Sequence, residues 1–76
     1  MSQLRKVTMN LTERDVRNTE KLTEQLHTRS KAEAVSAALS ITTFLSEMLH
    51  GGKELIIRDK KGGIEKVIIP GLTENE

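Results

Sequence analysis

Lys6-Val7-Thr8-Met9-Asn10-Leu11 alternates polar and apolar residues immediately before a helix start at Thr12. Period-two alternation sends Val7, Met9 and Leu11 to one face of a strand and Lys6, Thr8 and Asn10 to the other. A strand this short is unstable alone, because its backbone N–H and C=O groups have no partners. No neighbouring segment is suited to pair with it, so the remaining partner is the same strand of a second copy. Two copies side by side make an antiparallel ribbon carrying two sets of Lys, Thr and Asn. Such a ribbon fits the major groove of DNA, and amide, hydroxyl and ammonium groups suit base edges. Asn pairs bidentately with adenine, Lys favours guanine, and Thr offers a hydroxyl or a methyl.

The totals favour assembly. Seventy-six residues form one small domain, where a single core gives little stability. There is no cysteine, hence no disulfide, thiolate metal site or cysteine nucleophile. One Phe, with no Trp or Tyr, leaves an aliphatic core that is thin per chain. The net charge of +1 hides an uneven distribution. Residues 1–31 hold seven basic and four acidic groups, a balance of +3, and the remainder holds five and seven, a balance of −2. A positive N-terminal half suits a polyanionic partner, and dimerisation doubles it. No apolar run follows the first residues as in a signal peptide, and no stretch reaches membrane-spanning length, so a cytoplasmic location is expected.

Outward from the strand, Thr12 is a good N-cap, and Glu13 and Asp15 occupy the first turn, where the helix dipole favours acids. This helix is expected to run to about His27, with Val16, Leu22 and Leu26 on one stripe and Thr19 and Thr23 completing it. His27-Thr28-Arg29 breaks the pattern without glycine. Ser30-Lys31-Ala32-Glu33 then matches a capping box. A second helix follows, apolar over more than one face, and ends at Gly51-Gly52.

Strand, short helix, tight turn and long apolar helix span residues 5–50. This segment resembles the ribbon-helix-helix DNA-binding family of Arc-, MetJ- and CopG-like repressors. The resemblance rests on the 6–11 strand, on Thr12-Glu13, and on Ser30-Lys31-Ala32-Glu33-Ala34-Val35. It implies an α+β, mainly helical fold, an intertwined homodimer, with residues 1–52 as the DNA-binding and dimerisation unit. By position, Lys6, Thr8 and Asn10 would read bases, while Ser30, Lys31 and Ala32 would clamp a phosphate. Arg5, Arg29 and Lys31 are further candidates for phosphate contact, adding affinity rather than sequence choice. The dimer core would be Val7, Met9, Leu11, Val16, Leu22, Leu26, Ala34, Val35, Ala38, Ile41 and Leu45. The turn departs from the family, many of whose members place glycine where this chain has His27-Thr28-Arg29.

Residues 53–72 form an extra C-terminal β-hairpin, with strands 55–59 and 64–69 around Lys60-Lys61-Gly62-Gly63. A turn centred on Lys61-Gly62 sets Arg58 against Glu65, Ile56 against Val67 and Leu55 against Ile68. Both faces then carry apolar groups, and residues 73–76 are expected to be a flexible tail. His27 and His50 stand apart, with no carboxylate cluster at ligand spacing, so no metal or other cofactor is expected. No base lies beside a candidate nucleophile, which argues against an enzyme. The implied function is transcriptional repression by operator binding, with double-stranded DNA as partner and dimers assembling into a higher oligomer on adjacent half-sites, the hairpin extending the dimer or joining dimers together. Two other roles fit the same unit: an antitoxin whose C-terminal segment binds a toxin, or an accessory protein of plasmid maintenance or conjugation.

Overall fold

A computed structural model describes residues 3–73. It is α+β and mainly helical, with helix α1 at Glu13–Gln25, helix α2 at Lys31–His50, and strands β1 at Ile56–Arg58 and β2 at Ile64–Lys66. The strands form one antiparallel two-stranded sheet. The chain comprises two compact units, Met1–Val35 and Ser36–Glu76. No helix among the described residues is long and apolar enough to cross a membrane.

In the first unit, α1 starts where its sequence dictates. Thr12 is extended and its hydroxyl accepts the Asp15 N–H at 3.0 Å, while the Asp15 carboxylate accepts the Thr12 N–H at 3.2 Å. Asp15 is therefore half of a reciprocal cap, not only an acid at the positive end of the dipole. The helix stops two residues short of His27, with Leu26 as C-cap. The His27 N–H donates to the Glu24 carbonyl at 3.2 Å and the Thr28 N–H to the Thr23 carbonyl at 3.1 Å. These two bonds are a Schellman motif, which needs a left-handed residue just past the cap. His27 supplies it, with φ of 54°. The missing glycine thus does not change the type of turn; a histidine takes the conformation glycine adopts more readily.

The second helix is capped by Ser30, whose Oγ accepts the Glu33 N–H at 3.1 Å. The return arm of the expected box is displaced by one residue, since Glu33 Oε1 accepts the Arg29 N–H at 2.9 Å. At its far end, in the second unit, the helix repeats the Schellman pattern, from Gly52 N–H to the Leu49 carbonyl and from Lys53 N–H to the Met48 carbonyl. Here glycine holds the left-handed position, Gly52 at φ of 94°.

The hairpin differs from expectation by one residue of register. Ile56 pairs with Lys66, Ile57 with Glu65 and Arg58 with Ile64, rather than Arg58 with Glu65 and Ile56 with Val67. The cause lies in the turn. A two-residue loop at Lys61-Gly62 would ask for positive φ at both positions, which lysine resists. The chain instead uses a three-residue loop in which only Gly62 is left-handed, at φ of 92°. Asp59 closes it: its N–H donates to the Gly63 carbonyl, its carbonyl accepts the Gly62 N–H, and its Oδ1 accepts the N–H groups of Lys61 and Gly63 at 2.9 and 2.8 Å. The slip exchanges cross-strand partners throughout. Leu55 now lies across from Val67, whose N–H donates to the Leu55 carbonyl. Lys66 reaches diagonally to Glu54 at 2.8 Å. Thr73 is tied back to Ile69, its N–H donating to the Ile69 carbonyl at 2.9 Å and its Oγ1 accepting the Ile69 N–H at 2.7 Å. The rest of the expected tail, residues 74–76, lies outside the described residues.

Candidate nucleic-acid interface

Residues 3–11 are exposed and form no strand in the single chain. Among the described residues, no hydrogen bond joins their backbone to the remainder of the unit. Both faces of the alternation are open: Lys6, Thr8 and Asn10 are exposed, and so are Val7 at 63%, Met9 at 65% and Leu11 at 54%. Holding three apolar side chains in water on an unpaired segment is costly, at about 1.5–3 kcal/mol for each left unburied.

The helices of the first unit offer a matching surface. On α1 the Thr19 hydroxyl donates to the Asp15 carbonyl at 2.8 Å, and the Thr23 hydroxyl to the Thr19 carbonyl at 2.7 Å. With the hydroxyls engaged on their own helix, the threonine methyls continue the stripe of Val16, Leu22 and Leu26. Leu11, Val16, Thr19, Lys31, Ala32 and Val35 line an apolar groove of about 290 Å³. Of the expected dimer core in this unit, only Ala34 is fully buried; Val16, Leu26 and Val35 remain 37–41% exposed. In the second unit Ala38 and Leu45 are half-buried and Ile41 is 49% exposed.

The phosphate candidates gather at the turn into α2. Arg29, Ser30, Lys31 and Ala32 are all exposed. The N–H groups of Lys31 and Ala32 have no acceptor among the described residues, as the first turn of a helix requires. Their positions at the positive end of the dipole make this a locus for an anion. Lys31 is 3.6 Å from Glu20, with both side chains more than half exposed. A surface pair of that kind is worth about 0–1 kcal/mol, so it holds Lys31 only weakly. Neither Glu20 nor the bond from Arg29 to Glu33 follows from motif reading. Spacing along α1 cannot reveal the first, which joins two helices. Arg5 is exposed on the unpaired segment.

Among the described residues, no three His, Cys, Asp or Glu side chains gather as a metal ion would require. His50 Nδ1 lies 2.7 Å from the Ser46 carbonyl and 3.3 Å from the Ser46 hydroxyl. A carbonyl only accepts, so that nitrogen carries its proton and is not a base for Ser46. No protein-family model matches the chain, and no curated protein or solved structure matches it.

Proposed function

We propose that the chain is a ribbon-helix-helix DNA-binding protein that works as a homodimer and represses transcription. The observation that supports this best is the state of residues 6–11. They alternate strictly, have no backbone partner among the described residues, and expose Val7, Met9 and Leu11, the last of these lining an open apolar groove. Pairing with a twin strand satisfies the backbone and covers the apolar face in one step. Lys6, Thr8 and Asn10 are then displayed in duplicate on a two-stranded ribbon for the major groove. The free amides of Lys31 and Ala32, with Arg5 and Arg29, hold phosphates and set the register. Repression follows by occupying the operator.

The test is recovery of sheared genomic DNA on the purified protein, followed by sequencing. Enrichment of a few discrete sites supports the reading. Uniform recovery of all sequences, or none, removes it. Co-purification of a second small protein in stoichiometric amount would favour the antitoxin role instead.

A further inference from the structure

The hairpin of the second unit carries a feature that DNA binding does not use. Its two strands pair as one two-stranded sheet. Apolar groups stand in water on both faces, Ile56 at 46%, Ile57 at 54% and Ile64 at 60% exposed. An isolated hairpin is marginal, and its two edges are open templates for another strand.

The edges are not equivalent. The bonds from Asp59 to Gly63 and from Val67 to Leu55 fix which residues face the partner strand. In an antiparallel ladder these alternate, so the backbone groups of Glu54, Ile56 and Arg58 point outward on the β1 side, and those of Ile64 and Lys66 on the β2 side. By that alternation these five N–H groups have no acceptor on the paired strand. The β1 side reads Lys53-Glu54-Leu55-Ile56-Ile57-Arg58-Asp59. About Ile56 this segment is self-complementary when reversed: Ile56 meets Ile56, Leu55 meets Ile57, Glu54 meets Arg58 and Lys53 meets Asp59. Each opposed pair also falls on one face of the sheet, as a two-fold axis through Ile56 demands. On the β2 side the equivalent axis through Lys66 sets lysine against lysine, which disfavours pairing.

From this we infer that β1 pairs antiparallel with β1 of a second copy about Ile56, joining two hairpins into a four-stranded sheet. The apolar centre of three residues is flanked by opposite charges at both ends. The Glu54 carboxylate, already bonded to Lys66 at 2.8 Å, receives Arg58 of the twin as a second cation. This interface is separate from the ribbon and stands whether or not the chain binds DNA.

Residue-resolved hydrogen exchange on the intact chain tests it. The amides of Glu54, Ile56 and Arg58 are expected to exchange at least tenfold more slowly than those of Ile64 and Lys66. Equal exchange on the two edges, or slower exchange on β2, overturns the inference. The absence of cysteine gives a second measurement, since a single introduced thiol forms only intermolecular disulfides. Opposed residues of this type lie about 5.5 Å apart at Cα, within disulfide range. Ile56→Cys is expected to cross-link under mild oxidation at least tenfold faster than Lys66→Cys, and adding Arg58→Glu is expected to abolish the difference. Equal rates for the two thiols refute the pairing.

Discussion

Replacing His27 by glycine should stabilise the protein. His27 occupies the left-handed position of the turn between α1 and α2, at φ of 54°. An L-residue there pays about 1–2 kcal/mol through the contact of its Cβ with the backbone. Glycine escapes this but loses more freedom on folding, which returns about 0.4–1 kcal/mol. The side chain of His27 is exposed and, among the described residues, no hydrogen bond from it offsets the loss. The difference spans about 0–1.6 kcal/mol per chain, with a central gain of about 0.8 kcal/mol. For a domain of this size about 1 kcal/mol moves Tm by roughly 4–8 °C, so the central expected rise is about 3–6 °C at fixed protein concentration. Thermal and urea unfolding followed by circular dichroism measure it. Gly52→Ala is the converse at the end of α2, where the same motif holds glycine at φ of 94°, and it should lower Tm. If His27→Gly is neutral or destabilising while Gly52→Ala destabilises, the cost assigned to the left-handed histidine is wrong.

Four other outcomes are expected. Asn10→Ala should weaken specific DNA binding by about 1–3 kcal/mol for each bidentate base pairing removed, twice per dimer, and Thr8→Ala by less, both with Tm unchanged; fluorescence anisotropy against a recovered site and a scrambled duplex separates the two effects. Tm should rise with protein concentration, and a flat dependence would contradict obligate dimerisation. Thr12→Ala removes the hydroxyl half of the first cap and should cost about 1 kcal/mol in urea unfolding. Bonding from Lys66 holds the Glu54 carboxyl below its ordinary value of 4.5. A carboxylate depressed in the folded state contributes above its unfolded pKa and loses that contribution as pH falls through the folded one. The stability difference between wild type and Glu54→Gln should therefore vanish at acidic pH, as unfolding at a series of pH values would show.

What the sequence discloses depends on whether the deciding interaction is local and has one common solution. Thr12, Ser30 and Gly51-Gly52 mark helix ends legibly, because caps draw on few residue types over three or four positions. Asp15 escapes as a capping partner because aspartate more often stands alone in a first turn. His27 is illegible for a different reason. Its conformation is imposed by two backbone bonds that Thr28 and His27 make to the preceding turn, and the side chain carries no sign of it. The hairpin is legible as a hairpin, and its register is not. Lys60-Lys61-Gly62-Gly63 admits two loop lengths, and the choice falls to the Asp59 carboxylate binding the N–H groups of Lys61 and Gly63. For the interface, sequence alternation nominates Lys6, Thr8 and Asn10, while the acid beside Lys31 emerges only when α1 and the start of α2 are set side by side.

The threonines of α1 carry a consequence for the life of the chain before it folds. Thr19 and Thr23 turn their hydroxyls onto carbonyls one turn back only when that turn exists. In a nascent or denatured strand those oxygens go back to bulk water, and the greasy seam dissolves with them. Coiling up thus manufactures the sticky surface instead of merely orienting one already present. A newly made polypeptide of this composition is spared much of the clumping hazard that valines at both places would bring, and turns adhesive at the moment it has a shape to offer.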